Sequence, residues 1–418
     1  MASYSLIRGD ALRIPLRDES VDAIITSPPY FALRSYQDDG EHYAGQIGSE
    51  PTPADFLAAL WAVSDECHRV LKPTGSMFVD LGDKYAGAGS NDNPRLGGST
   101  MSRGGGRCWD ATPKSLMGLP WRYALGLSCP DTYRPDDLKR YGVPQWTLRA
   151  EIIWSKPNGL PESVTDRVRR SHETWFHFTK GPRYYAAVDE IRETYAPSTA
   201  ATYAAGKAAS RIGTGYLRHE SFTNRREQDV FADDYAGNPL GKLPGSVWTI
   251  PSEPLAVPEH IGVDHFAAFP QEWPRRLILG WTPNGICTAC REGRRPVVDR
   301  QFHGEYNVLE ADRQRERAAM TGGVDKVTLG RTDEIERTIT GYACACDVTL
   351  APTTPARVLD PFVGTGTVPM VARALGRYGI GLDLSRDYLR LARWRISESR
   401  HGAKSINRTN RERQGNLW

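Results

Sequence analysis

Strand-like apolar runs and helical periodicity alternate at the two ends of this chain, and the middle breaks the rhythm. Tyr4–Arg8 and Val21–Ile25 read as strands separated by the loop Gly9-Asp10-Ala11-Leu12. Phe56, Leu57, Leu60, Val63, Cys67, Val70 and Leu71 recur at helical spacing, which predicts an amphipathic helix over 53–71 that Lys72-Pro73 ends. Ser76–Leu81, Leu148–Trp154 and Thr174–Thr179 predict further strands. From Arg357 the order is strand, glycine-rich turn, helix (Val368–Leu375), strand (Tyr378–Leu382) and helix (Asp387–Ile396). Such alternation predicts an α/β fold with a mostly parallel, doubly wound sheet.

The breaks are as informative as the pattern. Residues 87–107 hold seven glycines, three arginines and one acid, a composition that builds no packed core and predicts a mobile loop. Residues 190–245 are polar without a clean period and carry Lys207, Arg211, Arg218, Arg225 and Arg226. Residues 291–340 are charged and predict a partly flexible insertion. From Arg400 on, five basic residues and one acid predict a disordered basic tail.

Composition narrows the classes. Hydrophobic residues make up 39% of 418, and no apolar run approaches the ~18 residues of a membrane span. Arg8, Asp10 and Arg13 interrupt the first residues, unlike a signal peptide, so a cytoplasmic protein is expected. Net charge is +3, so any nucleic-acid surface must be local.

Two short strings carry chemistry. Asp360-Pro361-Phe362-Val363-Gly364-Thr365-Gly366-Thr367 follows the strand Arg357-Val358-Leu359 and opens a helix. Doubly wound sheets bind ligands at the carboxyl ends of their strands, where such glycines let backbone approach closely. Asp383 ends the next strand, where an acid commonly accepts ribose hydroxyls. Thr26-Ser27-Pro28-Pro29-Tyr30 follows the strand Asp22–Ile25. Taken alone, each string also fits a ligand-free turn.

Together the strings resemble the cofactor and catalytic loops of amino-methylating DNA methyltransferases. Their order, catalytic loop first, resembles the circularly permuted beta group. Further resemblance lies in Leu71-Lys72-Pro73-Thr74-Gly75-Ser76, Trp154-Ser155-Lys156-Pro157-Asn158, Pro161–Arg167 and His172-Glu173. The resemblance implies a Rossmann-like fold that uses S-adenosylmethionine. It implies that Asp360, Phe362, Gly364, Gly366 and Thr367 hold the methionine part, Asp383 the ribose, and Asp10 the adenine side. Phe266, in His265–Pro270, would pack against methionine or be a buried core aromatic. Ser27 Oγ and the Pro28 carbonyl would accept the amino hydrogens, the Pro28-Pro29 pair would stiffen the loop, and Tyr30 would stack on an extruded base. In the family, Thr-Ser before Pro-Pro-Tyr usually marks cytosine N4, with adenine N6 as the alternative product. A catalytically idle DNA-binding module is the reading from another class, and two intact loops argue against it.

The domain plan expected is therefore 1–189 for the catalytic half, 190–245 for target recognition, 246–286 with 347–399 for the cofactor half, 287–346 as a cysteine-containing insertion and 400–418 as the tail. Double-stranded DNA is the expected partner, contacted by Lys156, Arg103, Arg107, Arg211, Arg225 and Arg226. A cognate restriction endonuclease is left open. Four of seven cysteines form two close pairs, Cys287-x2-Cys290 and Cys344-x-Cys346. These read as a four-thiolate structural zinc site or as unligated thiols.

Overall fold

A computed structural model describes residues 4–32, 37–38, 41–42, 45–86, 112–138, 143–159, 161–196, 238, 240–255, 257–258, 261, 268–303, 334–344, 346 and 351–397. An eight-stranded sheet organises the larger of two compact units, which draws on Met1–Ala187, Gly245–Arg295 and Cys344–Trp418. Its strands in chain order are β1 (Tyr4–Arg8), β2 (Val21–Thr26), β3 (Leu71–Leu81), β4 (Thr147–Ser155), β5 (His172–Thr179), β6 (Val247–Thr249), β11 (Arg357–Asp360) and β12 (Tyr378–Asp383). The short strands β7 (Ile286–Cys287) and β10 (Thr353–Thr354) pair antiparallel, and β8 (Arg295–His303) pairs β9 (Glu334–Ala343).

The sheet order is β1-β12-β11-β2-β3-β5-β4-β6. From β1 through β3 every neighbour is parallel, and β5 runs antiparallel between β3 and β4. From β11 the chain steps to β12 on one side, and from β2 it steps to β3 on the other. The junction of β11 and β2 is thus the point where strand order reverses, the place at which open α/β sheets bind ligands.

β2 is buried at all six positions, as a strand covered on both faces must be. Ile24 points into one core layer with Phe56, Leu57, Leu60 and Trp61 of α1 (Pro53–Val70) and Tyr123, Ala124 and Leu127 of α2 (Leu119–Ser128). Ala23 and Ile25 point into the other, with Trp273, Leu277 and Ile278 of α3 (Glu272–Trp281) and Val368 and Val371 of α4 (Thr367–Ala374). α5 (Arg386–Ser397) contributes Ile396 to this second layer. α1 starts where Thr52 Oγ1 accepts from the Asp55 amide at 3.1 Å, with Pro53 in the first turn. Near the β4–β6 edge, Trp175, Trp273 and Trp248 stack at 4.7 and 4.9 Å between ring centres. Among the described residues, no helix is long and apolar enough to cross a membrane.

All predicted strands and helices of the scaffold are present. β3 begins at Leu71, directly after α1, rather than at Ser76. Helices α2 and α3 were not legible: each has about three turns, and Pro274 and Gly280 interrupt the Trp273/Leu277/Ile278 spacing. Within the charged stretch that begins at 291 lies the strand β8, and β9 follows at Glu334–Ala343; their charged composition lacks the clear apolar alternation that reveals a strand. The second compact unit draws on Val188–Pro244 and Pro296–Ala343. The predicted loop 87–107 and the tail 400–418 lie outside the described residues.

Gly379 lets β12 lie directly on α4: a Cβ there would stand 2.5 Å from Pro369 Cα and 2.8 Å from its carbonyl oxygen. Because backbone cannot step aside, Gly379→Ala should destabilise the fold by ~1–3 kcal/mol. Gly181→Ala, with nothing within 4 Å, should be near neutral in the same thermal melts.

Candidate active site

The two motif loops leave neighbouring parallel strands and are tied together at once. Thr26 ends β2 and Asp360 ends β11, and the Thr26 hydroxyl donates to Asp360 Oδ1 at 2.7 Å in a fully buried contact. The Phe362 amide donates to the same oxygen at 3.1 Å. Asp360 is 1% exposed, and its partners among the described residues include no cation. Burial pushes its carboxyl up to about 7, against the two hydrogen bonds and with the help of Asp383.

The glycine loop closes over the end of β12. Gly364 and Gly366 take φ of +46° and +79°, which side-chain-bearing residues avoid. The Gly364 amide donates to Asp383 Oδ2 and the Ser385 amide to Oδ1, both at 3.0 Å. The Asp383 carbonyl accepts from Gly9, which holds the following Asp10 beside it; Asp10 Oδ1 caps a single turn through the Leu12 amide at 2.9 Å. Asp10, Asp383 and Asp360 thus stand at or just beyond the ends of the adjacent strands β1, β12 and β11.

Arg395 of α5, absent from the sequence reading, supports this loop from beneath. Its Nη1 donates to Thr365 Oγ1 at 2.8 Å and to Thr367 Oγ1 at 2.7 Å. The guanidinium is so buried that its pKa drops to about 10. The Thr367 hydroxyl is therefore engaged within the protein. A Cβ on Gly366 would stand 2.9 Å from Ala392 Cβ, so the loop also needs glycine for α5 to dock.

Around the Thr26–Tyr30 loop the fold assembles a charged cluster. Ser27 Oγ lies 3.4 Å from the Tyr30 hydroxyl, which reaches Asp80 Oδ2 at 3.2 Å and Glu173 Oε2 at 3.1 Å. Lys156 Nζ meets Glu173 Oε1 at 2.6 Å and sits 4.0 Å above the Trp154 ring. Three strand ends make this meeting: Asp80 near the end of β3, Glu173 at the start of the antiparallel β5, and Lys156 just beyond β4.

One phenol proton serves two carboxyls here. Burial, then the Glu173 charge, hold the Asp80 carboxyl well above the usual carboxylate range, while Lys156 and Tyr30 pull it down. Burial and both acids raise the Tyr30 phenol. Asp80 Oδ1 is buried without a hydrogen-bond partner among the described residues. Gly82 leaves the space the Tyr30 ring occupies, since a Cβ would stand 2.7 Å from its Cε2; Gly48, at φ +96°, packs on the Tyr30 carbonyl and Pro29.

Of the expected site residues, Ser27, Pro28, Pro29, Tyr30, Asp10, Asp360, Phe362, Gly364, Gly366, Thr367 and Asp383 come from strand ends on one edge of the sheet. Lys156, expected at DNA, is ion-paired with Glu173. Phe266, Arg103, Arg107, Arg211, Arg225 and Arg226 lie outside the described residues. The four cysteines Cys287, Cys290, Cys344 and Cys346 converge, with all Sγ atoms within 4.8 Å. Asp80 and Arg395 were missed; the one signal for Asp80 was an acid inside the apolar run Met77–Leu81.

A family model described as DNA methylase matches residues 21–288 and 355–393, leaving the β8–β9 excursion between the matched stretches. M.XycI of Xanthomonas campestris pv. cyanopsidis, a Type II methyltransferase, is 32% identical over 329 residues, covering 74% of this chain and 87% of that one. M.Cfr9I of Citrobacter freundii is 30% identical with the same coverage. M.SmaI of Serratia marcescens is 27% identical over 405 residues, 96% of this chain and 93% of that one. Both motif loops and the strand junction that joins them fall inside the matched stretches, and this chain belongs to the DNA methylase family of N4/N6 amino-methyltransferases.

Proposed function

We propose that this chain methylates the exocyclic N4 of a cytosine at a specific site in double-stranded DNA, using S-adenosylmethionine and acting on an extruded base. The observation that carries the reading is the buried Thr26–Asp360 contact, which couples the Thr-Ser-Pro-Pro-Tyr loop to the glycine loop at the strand-order reversal. The catalytic loop precedes the cofactor loop in the chain, which supports the beta-group order. The same acceptors would serve adenine N6; Ser27 after Thr26 favours cytosine.

The residues fit the cofactor. Asp360 is a buried carboxyl without a cationic partner among the described residues, suited to the ammonium of the methionine part. Asp383 and Asp10 would receive ribose and adenine, the Gly364–Gly366 backbone and Phe362 would line the methionine side, and Phe266 would close it. Bound S-adenosylmethionine supplies the methyl as an electrophilic sulfonium substituent.

The amino lone pair of the base is delocalised into the ring, so the protein must draw it back onto nitrogen. Ser27 Oγ and the Pro28 carbonyl would accept the two amino hydrogens and stabilise the positive charge that grows on nitrogen. Tyr30, fixed by Asp80 and Glu173, would present its ring to the base. The same hydroxyl links Ser27 to a carboxyl pair, so negative charge lies within one hydrogen-bonded chain of the amino group. Residues 190–245 would select the sequence through Arg211, Arg225 and Arg226, and residues 87–107 would close on phosphates through Arg103 and Arg107. A cognate endonuclease and a cytoplasmic setting accord with the Type II names of the bacterial relatives.

Base-resolved mapping and nucleoside mass spectrometry of DNA from expressing cells should give N4-methylcytosine at one sequence; N6-methyladenine as sole product overturns the base assignment. Ser27→Ala should lower kcat by ~10²–10³ while cofactor binding persists.

Asp360→Asn keeps the Thr26 and Phe362 partners but cannot ionise. It should weaken S-adenosylmethionine binding at least tenfold, ~1.4 kcal/mol. In the native chain, affinity should rise as pH increases through about 7, because the ionised carboxyl is the form that holds an ammonium. Without cofactor the sign reverses. A carboxyl whose folded pKa is raised binds its proton more tightly when folded, so its stabilisation is full below the ordinary aspartate range and lost as pH rises through about 7. Calorimetry and binding titrations across this window should show both slopes, and both flattened in Asp360→Asn.

A further inference from the structure

We propose that Cys287, Cys290, Cys344 and Cys346 bind one structural zinc ion that pins together the two ends of the 291–343 excursion. The site is distinct from methyl transfer, and the family match breaks off at its first cysteine pair and resumes after its second.

The four sulfurs come from two separate places in the chain. Cys287 ends β7, which β10 pairs from the far side of the excursion, with Cys287 opposite Thr353. Cys344 follows the last residue of β9, and Cys346 is two residues on. All four Sγ atoms lie within 4.8 Å of one another, with Cys287–Cys346 at 3.8 Å and Cys344–Cys346 at 3.4 Å. A tetrahedron of thiolates about zinc, with bonds of about 2.3 Å, has edges of about 3.8 Å. A disulfide would need about 2.05 Å, and all four are free thiols.

The backbone around the first pair makes a tight turn. The residue after Cys290 enters the left-handed region: Arg291 takes φ +61°, although a side chain disfavours it. The Arg291 amide returns to the Cys287 carbonyl at 2.9 Å, and the Cys287 amide to the Glu292 carbonyl at 2.9 Å, closing the turn on itself.

Four protein sulfurs leave no open position, so the ion would act on structure. It joins residues flanking a long excursion that has little apolar sequence of its own.

The test uses the full-length protein. Elemental analysis after exhaustive dialysis should give about one zinc per chain. Cobalt(II) exchanged into the native protein should show the intense thiolate-to-metal charge transfer and tetrahedral d–d bands of a four-sulfur site. Cys290→Ser should lose the metal and gain protease sensitivity between residues 291 and 343, whereas Cys129→Ser, an exposed cysteine elsewhere, should keep both zinc and resistance. Should the serine variant fail to fold, the cobalt spectrum of the native chain still decides the matter. Metal-free protein, tightly bound iron in place of zinc, a cobalt spectrum with oxygen or nitrogen ligands, or mass spectrometry showing these cysteines as disulfides would each overturn the proposal.

Discussion

The hydrogen bond from Thr26 to Asp360 ties the two motif loops together. It is a direct, buried contact between residues 334 positions apart, at the ends of two parallel strands. Those strands, β2 and β11, are the two from which the chain winds in opposite directions, so each carries its own loop into the same crevice. Removing the Thr26 hydroxyl would leave that carboxyl oxygen to the Phe362 amide alone, a cost of about 0.5–1.5 kcal/mol. It would also free one loop to move against the other, and methyl transfer depends on sub-ångström placement of the two reacting atoms.

The energetic character of Asp360 follows from that same burial. A carboxyl enclosed by buried strands and given hydrogen bonds, with no cationic partner among the described residues, has its pKa raised to about 7. Such a group is costly while the site lacks a positive charge and becomes favourable when one arrives. Arg395, a buried cation of α5, is directed instead to the Thr365 and Thr367 hydroxyls of the same loop.

Around the Thr26–Tyr30 loop the charges are arranged differently. Glu173 is compensated by Lys156, itself held over the Trp154 ring, while Asp80 is buried more deeply and tends to stay protonated. Tyr30 stands between them, and its ring is seated on Gly82. The tether fixes the orientation of the Tyr30 ring, which two prolines alone would not do. The arrangement also explains why a lysine that reads as a DNA contact in the sequence serves as a partner for an acid in the folded chain.

The sequence by itself determined seven of the eight sheet strands, all but the three-residue β6, and with them the helices α1, α4 and α5, the two motif loops and the three strand-end acids. Each is a local matter: a run of β-formers, a period of apolar positions, glycines where φ is positive, an acid at a strand end. It determined the family for the same reason, since both loops are short contiguous strings. What tertiary structure decided is the set of contacts made between segments. Asp80, Lys156 and Glu173 meet because β5 turns antiparallel between β3 and β4, and that register depends on packing across the whole sheet. Arg395 looks like one more arginine of a polar helix until α5 docks and carries it under the glycine loop. Gly48, Gly82 and Gly366 matter through what lies opposite them in space, which no local window contains. Cysteine spacing suggested a metal, yet only the return of the chain at Cys344–Cys346 to the turn at Cys287–Cys290 brings the two pairs to one point.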